Sequence, residues 1–370
     1  LGVYYSQAQD WYHPGGLAAK NRWDEMQNGE WDEYFNTIAK PQVLELLNNY
    51  KPIDIIWFDS KRATVNMDLA KDFEEQLKEE YPTLILNPRL FKGDFNTYEQ
   101  VIPGVLGEGY HELCITHNRS WSFKESDTTW KEPQFMLKTL IHMASIGGNF
   151  LFNVGPNPYG TFPPETKKAL SYIGNWMKIN HESIYATSKN PFYKLDFGAA
   201  TVKELDDNRS KVYLHVFDWP ENQEIILRGL NNSIGAAYLL DGNKTLGYQK
   251  LDEGVKIKGL PKQAPHEAAS VIVLEINEPL DIIPGYLEFE NDSISLKPEN
   301  ALMTIKPQFD DIPVVVEKQN FSYFDNWKSK YPHHRFKNTG NQAHWKIIVP
   351  ENGSYKLWLH CATQTNTNVI

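Results

Sequence analysis

Cysteine is scarce in this chain, with only Cys114 and Cys361 among 370 residues. The two are far apart in sequence, so neither a disulfide framework nor a zinc-ligand spacing is present. Positive charge is also short. Lys and Arg number 37 against 47 Asp and Glu, a net charge of −10. No basic cluster is available to track a phosphate backbone, so no nucleic-acid partner is expected. No run of eighteen apolar residues occurs, so no membrane span is expected. No G-x-G-x-x-G follows the first strand-like segment, which argues against a dinucleotide fold. The chain lacks an initiator Met and a signal peptide. It opens at LGVYYS and closes at TNTNVI, both of which read as mid-strand. Material beyond both ends is therefore expected, and targeting is not legible.

The chain is rich in apolar and aromatic residues, 41% and 13%, with eleven Trp and nineteen Tyr. That is a globular composition, and the length calls for two or three domains. Strand-like and helix-like segments alternate through the first half. Strands are expected at Leu1–Ser6, Lys51–Ser60, Thr83–Asn87, Glu112–Thr116 and Asn149–Val154. Helices are expected at Tyr34–Tyr50, Val65–Tyr81, Glu132–Ser145 and Pro163–Asn180. Such alternation is the mark of parallel α/β units, and a barrel suits it better than an open nucleotide-binding sheet. A full barrel needs eight strands, so the missing ones would precede Leu1. GDFNTYEQ, Gly93–Gln100, reads as a polar loop. After Ser188 the helical period disappears, and short runs at Val212–Phe217, Glu224–Leu227, Ala236–Leu240 and Ser270–Ile276 suggest a β-sandwich. Pro279–Pro284 reads as a linker to a second all-β region, with strands at Tyr286–Glu290, Trp345–Val349 and Tyr355–Leu359. The expected domains are 1–187, the C-terminal part of a barrel; 188–280, a β-sandwich; and 285–370, a second, truncated sandwich that could bind carbohydrate or be purely structural.

KPIDIIWFDS, Lys51–Ser60, is the most informative stretch. Its Ile run is apolar on both faces, as a buried parallel strand requires. Asp59 stands at the carboxyl end, where barrel enzymes place their chemistry. The competing role is helix N-cap for the segment that follows. Partner acids are sought in loops after strands: Asp94, Glu99, Glu108 and Glu112. Two acids from different strand ends suit glycoside cleavage, one ionised as nucleophile and one protonated as general acid.

GVYYS, DIIWFDS, LNPRL, GDFNTYEQ, YHELCITHNRSW and GGNFLFNVGPNPYGTFPP occur in this order across residues 1–185. The set resembles glycoside hydrolase family 29, the α-L-fucosidases. The resemblance implies a partial (β/α)8-like (TIM-type) catalytic barrel followed by β-sandwich domains. It also implies exo-acting, retaining hydrolysis of terminal α-L-fucose through a covalent fucosyl-enzyme. Fucosylated oligosaccharides or glycoconjugates would be the partners, with no cofactor and no metal. A secreted, periplasmic or lysosome-like location would follow. By the same resemblance Asp59 is the nucleophile. Glu99 matches the acid/base of some members and Glu112 that of others, with Glu99 preferred. Tyr5, Trp57, Arg89 and Trp121 match sugar-pocket positions, Tyr5 and Arg89 as hydrogen-bond donors and the two Trp as apolar walls. His13 is a surface or site residue, while Asn153 and Gly155 shape a turn. Departures exist: Pro88 and Leu90 replace an acid and an aromatic, no glycine follows Trp121, and the family's early His and Trp pocket residues lie in none of these segments. A retaining exo-glycosidase of other sugar preference, or a carbohydrate-binding protein with a degenerate barrel, remain alternatives.

Overall fold

Apolar residues at alternate positions decide how the first half of the chain packs. The computed structural model describes residues 1–16, 25–50, 52–59, 66–100, 102–104, 106–192, 195–205, 208–252 and 254–283, and beyond these only 294, 302–304, 342–344, 347 and 353–356. Strands β1 (Gly2–Tyr5), β2 (Ile55–Phe58) and β3 (Ile85–Leu86) form one parallel sheet in that order. Strands β4 (Phe95–Glu99), β5 (Tyr110–Thr116) and β6 (Asn149–Asn153) form a second. The helices between them are α1 (Trp31–Tyr34), leading through a π-helical turn at Phe35–Ala39 into α2 (Lys40–Asn49), then α3 (Met67–Glu80), α4 (Pro133–Ser145) and α5 (Pro164–Asn180).

In the first sheet Ile56, Phe58 and Leu86 face the helices and bury against Phe35, Val43, Phe73 and Leu77. In the second, Tyr98, Leu113 and Ile115 do the same against Met136 and Met143 of α4. Successive residues of a strand point to opposite faces, so the residues between these anchors line the other side of each sheet.

One expectation is corrected here: Gly93–Gln100 is not a loop. Phe95–Glu99 is a strand, paired in register from Phe95↔Tyr110 to Glu99↔Cys114. Asp94 holds its entry, since its backbone N–H and carboxylate bond the carbonyl and N–H of Leu86 at 2.7 Å each. Gly93 at φ +65° makes the turn possible, because a Cβ there would lie 2.5 Å from the carbonyl carbon of Asn87.

From Gly198 the chain turns antiparallel. Strands β7 (Gly198–Glu204), β8 (Ser210–Val216), β10 (Ala236–Leu239) and β13 (Ser270–Ile276) make a four-stranded sheet in the order β10-β13-β8-β7. Strands β9 (Glu224–Arg228), β11 (Gly247–Leu251) and β12 (Gly254–Lys258) make a three-stranded one. The two sheets share a core of Val212, Leu214, Ile272 and Leu274 against Ile225, Leu227, Val255 and Ile257. The opposite face of the four-stranded sheet is buried as well. Ala199, Tyr213, Val271 and Val273 pack on Leu137 and Ile141 of α4 and Trp176 of α5. The Trp176 indole N–H also donates to the Ala269 carbonyl at 2.8 Å.

The expected linker is not free along residues 279–283. Leu280 and Ile282 pack on the shared core, and the Ile283 N–H bonds the Gly229 carbonyl at 2.8 Å. Leu302–Thr304 and Gln342–His344 pair antiparallel as β14 and β15. The expected strands Tyr286–Glu290, Trp345–Val349 and Tyr355–Leu359 lie wholly or largely outside the described residues, as do Trp23, Ser60, Val65, Pro284 and Cys361. Among the described residues no helix is long and apolar enough to cross a membrane.

Candidate active site

The faces turned away from the helices carry the polar groups. On the first sheet these are Tyr4, Trp57 and, just past the end of β2, Asp59. The register Tyr4↔Trp57 puts the first two side by side, and their rings stack at 5.9 Å with planes 13° apart. On the second sheet Glu99, Glu112 and Cys114 share one face, because β5 pairs Cys114 with Glu99 and Glu112 with Thr97.

Arg89 joins the two sheets. It follows β3, and one guanidinium nitrogen, Nη1, donates to Asp59 Oδ1 at 2.9 Å. The other, Nη2, donates to Glu99 Oε2. The same guanidinium lies over the Trp57 ring, 4.9 Å from its centroid. Two carboxylates from different strand ends thus meet on one fork, a geometry suited to bidentate Arg. The Tyr4 hydroxyl donates to the second Asp59 oxygen, Oδ2. The Asp59 backbone is fixed too: its N–H donates to the Tyr5 carbonyl at 2.9 Å, and its carbonyl accepts from Ser6 Oγ at 2.8 Å. A second bridge runs deeper, from Trp57 Nε1 to Glu112 Oε1 at 2.9 Å.

The surroundings separate the acids. Glu112 is half-buried with an indole N–H as partner, and burial pushes its carboxyl above the usual range against the pull of that hydrogen bond. Burial, then the nearby Glu112 and Glu99 carboxylates, push the Cys114 thiol up to about 12. Burial and the bond to Asp59 hold the Tyr4 phenol above its ordinary value. Among the described residues no group of His, Cys, Asp or Glu is arranged to hold a metal ion.

The N-cap role for Asp59 is not the one observed. Asn66 caps α3, its side chain accepting from the Asp68 N–H at 3.1 Å. Asp59, Glu99, Trp57 and Arg89 come together, with Glu112 one indole away. Tyr5 does not join them. It lies on the helix-facing side with Phe58, and its hydroxyl donates to Gln42 Oε1 of α2 at 2.8 Å. The tyrosine that stands beside Trp57 and Asp59 is its neighbour Tyr4. Strand alternation was the available signal, since Tyr4 matches the Trp57–Asp59 face only once the register is known. Trp121, 43% exposed, lies in the loop after β5, where Asn153 Nδ2 donates to its carbonyl at 2.8 Å. Its ring has no described contact with the Asp59 group. Gly155 lets the following loop approach Ser122–Phe123, where a Cβ would come within 2.6 Å of the Phe123 nitrogen. His13 pairs with Asp10 at 2.8 Å, within the loop after β1.

Known proteins resemble this chain in sequence and in fold. The sequence model described as Alpha-L-fucosidase matches residues 1–182. Tissue alpha-L-fucosidase of Rattus norvegicus is 28% identical over 242 residues, which cover 61% of this chain and 50% of the relative. The chain thus spans about half the length of the curated relatives it matches. Alpha-L-fucosidase isoenzyme 1 from Paenibacillus thiaminolyticus superposes with a TM-score of 0.64 at 29% identity, covering 74% of this chain and 71% of that one. A Bacteroides thetaiotaomicron α-L-fucosidase, solved as a covalent intermediate trapped with 2-fluoro-fucosyl fluoride, gives a TM-score of 0.64 at 26% identity, covering 73% and 66%.

Proposed function

We infer the chemistry of this site from the α-L-fucosidase family, whose model matches residues 1–182. We propose that the chain supplies the catalytic carboxylates of an exo-acting, retaining α-L-fucosidase whose substrates are fucosylated glycans outside the cytosol. The two parallel sheets are then arcs of one (β/α)8-type barrel, a reading supported by their shared polar side and by the Trp57–Glu112 bond between them. The antiparallel sheets form the sandwich that follows.

The observation that carries this reading is the Arg89 fork between Asp59 and Glu99. In retaining glycosidases the two carboxyl groups stand close together, roughly 5 to 5.5 Å apart. In the first step an Asp59 oxygen attacks the anomeric carbon, and the glycosidic oxygen leaves with a proton from Glu99. In the second step Glu99 takes a proton from water, the water oxygen attacks the same carbon, and Asp59 is released. Fucose leaves with its configuration retained. Trp57 gives the sugar an apolar wall, and Arg89 and Tyr4 hold the nucleophile while it is ionised.

A second assignment of the acid rests on one observation. Glu112 has the raised carboxyl, held up by burial, and a proton donor must hold its proton until transfer. Proximity to Asp59 favours Glu99, because geometry comes before pKa in such a choice.

Asn has the shape of Asp but is a very poor nucleophile. Asp59→Asn in the complete enzyme should fold normally, bind fucose, and lose on the order of a thousandfold or more in rate. A 2-fluoro-fucosyl fluoride should label the wild type at Asp59 and leave the variant unlabelled. Wild-type turnover in a folded Asp59→Asn protein, or a label elsewhere, would overturn the assignment. No hydrolysis of any fucoside by the wild type would favour a binding protein instead.

A further inference from the structure

Arg89 reaches both carboxylates because the chain leaves the sheet just before it, and the departure has an identifiable cause. Strand β2 continues to Phe58, but β3 stops at Leu86, with Ile56↔Leu86 as the last pair. Had the ladder run on in register, Phe58 would face residue 88. In a regular parallel ladder the Phe58 N–H would then bond the backbone carbonyl of residue 87, and its C=O the N–H of residue 89. Neither bond is made that way. The Asn87 carboxamide makes both: Oδ1 accepts from the Phe58 N–H at 2.8 Å, and Nδ2 donates to the Phe58 carbonyl at 2.8 Å. Asn87 is fully buried, at 0% exposure. Its amide is the kind of group that can donate and accept from one planar end.

The consequence reaches the site from two directions. Phe58 immediately precedes Asp59, so the amide clamps the last residue of the strand that carries the proposed nucleophile. Residues 87–89 are released from the ladder, so Pro88 can turn the chain and set Arg89 across the ends of β2 and β4. The Arg89 carbonyl finds its partner in Gln7, whose side-chain amide donates to it at 3.0 Å. The far side of the excursion is closed by Glu74 of α3, whose carboxylate accepts from the Gly93 N–H at 3.0 Å.

We propose that Asn87 is a positioning residue for the carboxylate pair: its side chain stands in for two backbone bonds at Phe58 and thereby fixes where Asp59 and the Arg89 guanidinium meet. The proposal rests on the reading of Asp59 and Glu99 as the reacting carboxylates. A leucine of similar size would fill the volume and make neither bond, whereas an aspartate would keep an acceptor and lose the donor.

The test is a cycle of Asn87→Leu, Arg89→Ala and the double variant in the full-length enzyme, with Asn87→Asp as the alternative should the leucine variant fail to fold. Rates on an aryl fucoside are measured beside the melting temperature and the hydrogen exchange of the Phe58 amide. Misplacing reacting groups by about an ångström costs on the order of a hundredfold. Asn87→Leu should lose about that in kcat, with a much smaller change in KM and a faster-exchanging Phe58 amide. On the Arg89→Ala background the same change should cost only a few-fold more, because both act through one geometry. A folded Asn87→Leu or Asn87→Asp enzyme with wild-type kcat would overturn the proposal. So would losses that multiply in the double variant, the signature of general loosening. Labelling of the wild type by 2-fluoro-fucosyl fluoride keeps the two claims apart. A label away from Asp59 sinks the proposed function, whereas a correct label with an indifferent Asn87 sinks only the positioning role.

Discussion

At Arg89 a single guanidinium bridges two carboxyl groups, and this arrangement sets different tasks for the acids around it. Glu99 sits on the fork with its side chain 42% exposed. Glu112 sits away from any described cation, with a raised carboxyl. A general acid matters most when the leaving group is poor, so an aryl fucoside with a good leaving group bypasses much of the need for it. Glu99→Gln should therefore slow natural fucosides far more than the aryl one, and added azide should restore rate by replacing the water that Glu99 activates. Glu112→Gln should weaken the hold on Trp57 and affect both substrates alike. If Glu112→Gln shows the leaving-group dependence and azide rescue, and Glu99→Gln does not, the two roles are reversed. At this scale the motifs singled out Asp59, Trp57 and Arg89, three side chains that lie together in the structure. Tyr5, singled out with them, lies on the other face of the sheet. Tyr4 and Tyr5 are chemically identical, and only the pairing Tyr4↔Trp57 tells which one faces the acids.

Among the elements, helices and apolar strands were legible and the others were not. Helix α4 carries its signals in sequence, Pro133 at the start and Gly147-Gly148 after the end, and its observed span matches the expected one closely. Strand β4 has no apolar run: Phe95, Asn96, Thr97, Tyr98 and Glu99 become a strand because β5 offers a parallel edge. The same holds for β7, where small residues hide the pattern, and for β11, which is largely exposed. The loop expected at β4 was therefore an error about context rather than propensity. Helix α3 provides a direct check at this scale. Its cap is Asn66, which accepts from the Asp68 N–H and also donates to Asp32 Oδ2 at 2.8 Å. Asn66→Ala should lower stability by about 1 kcal/mol, read as a shift in the denaturation midpoint with unchanged slope. An unchanged midpoint would mean that the cap is replaced from elsewhere.

Over the whole molecule, the four-stranded sheet belongs to two cores at once, one shared with β9 and β12 and one with α4 and α5. Composition could not show this, because a strand buried on both faces looks the same whichever layers cover it. His215 reports on the second core. It lies on β8 at 0% exposure, beside the Trp176 ring at 6.1 Å and Thr201 Oγ1 at 3.1 Å. Burial pushes its imidazole down to about 3, against a weaker opposing pull from the Ser183 backbone. The unfolded chain binds a proton near pH 6.5 and the folded one does not. Stability is thus complete above pH 6.5 and falls as pH drops through the window toward 3, by up to about 1.4 kcal/mol per pH unit. Denaturation at pH 7.5, 6 and 5 should show the decline, and His215→Gln should flatten it. A variant with the wild-type slope would assign the decline to other groups.

That double coverage also has a history written into synthesis. Helices α4 and α5 are complete at Asn180, but the strand that finishes their cover, β13, ends only at Ile276. At ordinary translation speeds the nascent chain would wait on the order of ten seconds between the two. Until β13 is made, Leu137, Ile141 and Trp176 lack the part of their cover that Val271 and Val273 supply, so ribosome-bound chains stalled just after Asn180, before β7 and β8 exist, should recruit an apolar-binding chaperone or dye. Chains released past Ile276 should not.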